Sequence, residues 1–244
     1  MTEKKYILFI VEGDSDYMFY GEYFNDLVSE NNFNLDIKVT DGDILTKKVD
    51  DPIQLVKNSF NYALQKSKLK KTDFVQIFQI CDIDGSYFSE EQFIISSQKE
   101  YYDKSYQYSP YGSPNINVPD QKSKESIIAT WSTKKHNQDI LSTTESIDMG
   151  NEVIIPYKLF YVSLFLEHLL KNDPLIDPCD KRDCIDDYID YHKLENFIDL
   201  LDSKKNSDEF DESWEILKTN GGIYNPSSNL NILVNILKNN LLSN

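Results

Sequence analysis

Positive charge is scarce in this 244-residue chain: 25 Lys and Arg stand against 41 Asp and Glu, a formal net charge of −16. That balance excludes indiscriminate coating of nucleic acid, which takes the opposite sign. Long apolar runs are missing too. None reaches the roughly 18 residues of a membrane span, so no membrane partner is expected. Met1-Thr2-Glu3-Lys4-Lys5 leads straight into a strand-like segment and does not read as a signal peptide. Cysteine is sparse, and Cys81, Cys179 and Cys184 form an odd set that argues against a disulfide-stapled secreted domain. A cytoplasmic protein is the expectation. Cys179 and Cys184 with His192 lack a tetrahedral zinc framework. No Gly-x-x-x-x-Gly-Lys-Ser/Thr loop occurs, which excludes ATP binding by the P-loop route, and neither His-Glu-x-x-His nor Gly-x-Ser-x-Gly is present.

What is present suffices for a core: 40% of residues are hydrophobic and 13% aromatic, which argues against wholesale disorder. The acidity is uneven. Residues 1–84 carry 10 basic and 15 acidic side chains, whereas residues 172–215 carry 5 and 15. Most of the excess thus lies in one C-terminal stretch, and a polyanion bound elsewhere needs cations or local lysines.

Lys5-Tyr6-Ile7-Leu8-Phe9-Ile10-Val11 reads as a strand buried on both faces. A helix is predicted over 16–31, with Met18, Phe19, Tyr23, Phe24, Leu27 and Val28 at helical spacing and Asp14 or Ser15 as N-cap. A strand over 35–39, a helix over 52–66 and a strand over 74–81 follow. This β-α-β-α-β alternation predicts an α/β fold with an open parallel sheet and flanking helices. Residues 86–150, rich in tyrosine (Tyr87, Tyr101, Tyr102, Tyr106, Tyr108, Tyr111), read as an insertion of long loops with one helix over 123–141. Regular structure resumes with the segments 153–155 and 158–162, at least one of them a further strand, and a helix over 164–171. The resulting organisation is an α/β domain over 1–171 and a helical acidic region over 172–244 packed on it.

The acids fall at strand ends. In open parallel sheets ligands bind outside the carboxyl ends of the strands, where strand one delivers Glu12 and strand three delivers Asp82 and Asp84. In an extended chain residues i and i+2 point the same way, so both aspartates can face one cation. Carboxylates gathered at one edge raise each other's pKa unless something positive lies between them. Mg²⁺ or Mn²⁺ is the natural answer, and such a centre suits phosphoryl transfer. Conversely, a lysine buried against these acids would occupy the cation's place and remove that basis for a hydrolase.

Ile10-Val11-Glu12-Gly13 followed by Asp82-Ile83-Asp84 resembles the Toprim signature shared by type IA and type II topoisomerases, bacterial primases, ribosomal-RNA maturation nucleases and OLD-family nucleases. The resemblance implies a Toprim-like fold in which Asp82 and Asp84 coordinate Mg²⁺ and Glu12 serves as general acid or base. Val11-Glu12-Gly13-Asp14-Ser15-Asp16-Tyr17, Ser163-Leu164-Phe165-Leu166-Glu167 and Pro226-Ser227-Ser228 are similar to segments of the small stand-alone Toprim-like proteins of the RloB type, often associated with phage defence. The insertion and the acidic C-terminal region depart from that pattern. Chain length leaves a compact nuclease rather than a topoisomerase or primase. By the same analogy a separate ATPase partner is conceivable.

Glu167 reads either as a further metal ligand or as an exposed helix acid beside His168. Asp14 and Asp16 read as helix N-terminal acids, with Asp14 near enough to Glu12 to help a second cation. Lys134, Lys135 and His136, with Lys122, Lys124 and Trp131, form a basic and aromatic stretch suited to holding DNA or RNA; such a tyrosine-rich surface equally suits a protein partner. The expectation is a Mg²⁺- or Mn²⁺-dependent nuclease. Its rivals are a non-catalytic or phospho-acceptor receiver-like module that binds Mg²⁺ and a protein partner, and an interaction protein whose acidic region mimics nucleic acid.

Overall fold

The structure is a computed structural model, and it describes residues 4–30, 35–96, 106–109, 115–176, 180–221 and 225–240. Tyr101, Tyr102, Tyr111 and Cys179 lie outside these residues. Strand β1 (Lys5–Val11) lies between β2 (Leu35–Asp41) and β3 (Phe74–Asp82), and β3 pairs on its far side with β8 (Ile154–Val162); these four are parallel. Strand β7 (Ser146–Asp148) closes the order β2-β1-β3-β8-β7 as an antiparallel edge. The chain steps from β1 to one side and then crosses to the other, which makes the β1/β3 boundary the topological switch point.

Alternation along the strands covers both faces of the sheet. Ile7, Phe9, Val11, Phe78, Ile80, Phe160 and Val162 pack against helices α1 (Asp14–Glu30), α5 (Lys181–Tyr191), α6 (Leu194–Ser203) and α8 (Leu230–Asn240). Leu8, Ile10, Ile77, Cys81, Leu159 and Tyr161 face α2 (Ile53–Lys66) and α7 (Phe210–Thr219). The parallel α/β core is therefore as expected. Of the C-terminal helices, α5, α6 and α8 cover one face and α7 part of the other. No helix among the described residues is long and apolar enough to cross a membrane.

Several local expectations differ. Helix α1 begins at Asp14, and Asp16 at its third position accepts the Gly13 N–H at 3.0 Å, so the turn is closed by Asp16 and not by a cap at Asp14 or Ser15. Met18 faces solvent and Tyr20 takes the buried place. The segments 153–155 and 158–162 are one strand, reached from β7 through Gly150, Asn151 and Glu152, all at positive φ. Residues 164–165 precede helix α4 (Leu166–Lys171), because Leu164 adopts φ 53°.

The insertion is more ordered than loops. Strands β4 (Phe93–Ile95), β5 (Gln107–Tyr108) and β6 (Ile116–Val118) form a small sheet, and α3 (Gln121–Leu141) follows with Asp120 accepting the Ser123 N–H at 2.7 Å as N-cap. Phe93, Tyr108, Ile116, Ile127, Trp131 and Phe165 make its own apolar cluster. This cluster sets α3 across the carboxyl ends of β3 and β8.

Candidate functional site

Glu12 directly follows β1 and Asp82 ends β3, so the sheet brings both to its carboxyl edge at the switch point. Beyond Asp82 the chain is not extended. Asp84 has φ 49°, a left-handed conformation that aspartate tolerates better than most side chains. Its N–H donates to the Leu164 carbonyl at 2.8 Å, while the Ile83 N–H donates to Val162 at 2.9 Å. The turn after β3 is thus sewn to the turn after β8, and the i, i+2 geometry of an extended chain does not apply to Asp82 and Asp84.

Asp84 turns toward α3, where Lys134 is buried to 1% side-chain exposure. The Lys134 ammonium lies 2.6 Å from Asp84 Oδ2 and 2.9 Å from both carboxylate oxygens of Glu12; the bond to Oε2 has hydrogen-bonding geometry. The expected convergence of Glu12, Asp82 and Asp84 on one divalent ion is therefore corrected: a lysine stands between Glu12 and Asp84. Lys134 as a nucleic-acid contact is corrected with it, since its ammonium is spent inside the protein. Lys135 and His136 point outward on the same helix, with Lys135 Nζ 5.1 Å from the Tyr87 ring centroid, so these three residues form no common basic surface.

Helix α3 holds Lys134 rigidly. One turn earlier Trp131 lies flat on Gly85, where an added Cβ would meet its ring at 2.0 Å. One turn later Gln138 donates to the Asp82 carbonyl at 3.2 Å, and Asn137 donates to the carbonyls of Leu45 at 2.7 Å and Lys47 at 3.0 Å.

On the other side of Glu12 lies a cavity of about 320 Å³ lined by Asp14, Asp16, Asp43, Asp82, Glu167 and Lys181 among others. Glu167, in the first turn of α4, is buried and pairs with Lys181 at 3.0 Å. The alternative of an exposed helix acid is thereby overturned. Neighbouring His168 is also buried, its Nδ1 3.3 Å from the Ser163 carbonyl, and burial lowers its pKa to about 4. The segments Ser163–Glu167 and Pro226–Ser228, far apart in sequence, meet here: the Ser227 N–H donates to Ser163 Oγ at 2.7 Å and the Ser163 N–H to the Ser227 carbonyl at 2.8 Å. Asp14 is exposed at the rim.

The electrostatics show unmet negative charge. Burial, then repulsion by Asp16 and Glu12, raises Asp82 well above the carboxylate range. Burial, then Glu167, raises Asp16 to about 6. Glu12 is raised by burial to about 8, although Lys134 opposes the shift. Burial works against the charge of Lys134 and of Lys181, yet the surrounding acids outweigh it and keep both ammonium groups charged. Protons take up what two lysines leave uncompensated.

Comparison with family models, with curated proteins and with solved structures gave no match. The site must be judged on its own chemistry. Its donors are all oxygens, in a half-buried pocket of excess negative charge, which suits a hard divalent cation. They line the cavity without converging: among the described residues no group of three or more His, Cys, Asp or Glu is gathered as a ready set of metal ligands.

Asp16 is the helix N-terminal acid expected, and it also lines the cavity; sequence reasoning missed that second placement, together with Asp43 and Lys181. Asp43 had a signal, since Asp41-Gly42-Asp43 follows strand two at the same edge. Asp16 had one in its spacing from Glu12. Lys181 had none, because only the fold brings α5 beside α4.

Proposed function

We propose that the chain is a divalent-cation-dependent phosphodiesterase of the Toprim type that acts on DNA or RNA, with phage defence as one setting for such an activity. With Glu12 and Asp84 engaged by Lys134, the metal arrangement first expected does not carry this reading. A different set does: Asp16, Asp82 and Glu167, from three separate elements, line one cavity beside Glu12 at the carboxyl edge of the parallel strands. Asp16 and Asp82 would hold Mg²⁺ or Mn²⁺ on drawing together, joined by Glu167 on its release from Lys181. When bound, such a cation offsets charge on a phosphate and lowers the pKa of water.

The chain's own residues supply the rest. Lys181, charged and partly exposed beside Glu167, would hold a phosphate oxygen. Glu12, at the wall of this cavity and carried there by the end of β1, is the proton-transfer group that the Toprim resemblance assigns. Lys134 orients Glu12 through a hydrogen bond to Oε2 and an ion-pair contact with Oε1. Any ATP hydrolysis by the P-loop route would come from a separate partner, since this sequence has no such loop.

The test incubates purified protein with tRNA, single-stranded DNA and plasmid in Mn²⁺ or EDTA. Cleavage is expected only with the metal, and a reduction of at least 100-fold is expected in Glu12→Gln and Asp82→Asn. Cleavage that persists in either variant overturns the assigned roles. The ion pair of Lys134 with Asp84 favours a second reading, a receiver-like module without hydrolysis. Stable labelling of Asp82 by a small phosphodonor, without nucleic-acid cleavage, would support that reading.

A further inference from the structure

Lys134 is the most deeply buried charged side chain at the site, and its surroundings resemble those of a metal ion. Three carboxylate oxygens, two from Glu12 and one from Asp84, lie within 2.6–2.9 Å of its nitrogen. They come from the ends of two adjacent parallel strands. The distances are those of charge-assisted hydrogen bonds, longer than the 2.0–2.1 Å of Mg²⁺ ligation. A single positive charge here faces two carboxylates.

The helix that carries it is also anchored. Trp131 on Gly85 and the hydrogen bonds of Asn137 and Gln138 hold α3 on either side of Lys134, whose side chain is buried between them. Asp16, Asp82 and Glu167 remain for the neighbouring cavity, with Lys181 the lysine lining it. The two halves share Glu12.

We propose that the Lys134 ammonium is a built-in cation occupying the position between Glu12 and Asp84, so that the centre takes one divalent ion where an all-carboxylate edge would take two. This rests on the reading of the cavity given above. Removing the charge at 134 should therefore create a divalent-cation site that the native chain lacks.

The experiment counts bound Mn²⁺ on the full chain from the electron paramagnetic resonance signal of free Mn²⁺. The native protein should bind one ion, Lys134→Met two, and the double variant Glu12→Gln/Lys134→Met one, since the second site needs both carboxylates. The difference between native and Lys134→Met tests the inference, and the native count tests the phosphodiesterase reading. Equal counts, or two ions in the native protein, overturn the inference. No ion in the native protein with one in Lys134→Met supports the built-in cation and overturns the phosphodiesterase reading. Should Lys134→Met be unfolded without metal, circular dichroism decides: folding upon addition of Mn²⁺ supports the inference, and failure to fold while the double variant folds overturns it.

Discussion

Asp16 carries two opposed demands. Its carboxylate accepts the Gly13 N–H that closes the turn after β1, yet burial and Glu167 raise its pKa from 3.8 to about 6. Between about pH 4 and pH 6 the folded protein holds a proton that the unfolded chain releases. Stability contributed by this group is therefore full below pH 4, falls as pH rises through that window and is level above it. Asp16→Asn keeps an acceptor and removes the charge. In metal-free buffer at pH 7.5 it should unfold at higher urea, a gain of about 1 kcal/mol once partial exposure discounts the full shift. The gain should vanish below pH 4. Mn²⁺ should reverse the order by stabilising the native chain more than the variant. Equal urea midpoints across the pH range would show that the charge has no such cost.

Among the elements, α3 decides whether the site exists. Its inward residues Trp131, Lys134, Asn137 and Gln138 each contact the sheet edge or the turns beyond it. Trp131→Ala should cost about 3–5 kcal/mol through the cavity it leaves. Gly85→Ala should cost about 1–3 kcal/mol by overpacking against the same ring. In both, hydrogen exchange should accelerate in α3 and the small sheet before it does in β1 and β3; uniform acceleration would contradict a separate role for this cluster. The parallel strands and their acids were legible because continuous apolar runs end in Glu12, Asp82 and Asp84. The three short strands of the insertion were not, since two or three residues are too few to show a period of two. Lys134 was misread for a related reason. Charge and aromatic content say that a helix is basic, but only packing says that this lysine points inward while Lys135 and His136 point out.

At the scale of the molecule, the acidic C-terminal region completes the core. Ile185, Tyr188, Leu194, Phe197, Leu201, Leu230, Leu233 and Leu237 share a cluster with Phe19, Tyr23 and Phe24 of α1 and with the inner residues of β1. Asn229 Oδ1 accepts the Tyr161 N–H at 2.8 Å, and Trp214 Nε1 donates to the Leu159 carbonyl at 3.2 Å, both on β8. A chain ending at residue 171 should therefore lack a cooperative thermal transition and a dispersed proton spectrum. A well-dispersed spectrum from that fragment would show two independent units. Truncation thus cannot isolate a partner-binding role for this region, because it removes helices from both faces of the sheet that positions Glu12 and Asp16. The most direct measurement for the whole account is an anomalous difference map from crystals soaked in Mn²⁺. A peak bounded by Asp16, Asp82 and Glu167, lost in Asp82→Asn, is the result expected. A map with no peak in that cavity at saturating Mn²⁺ would contradict the phosphodiesterase proposal.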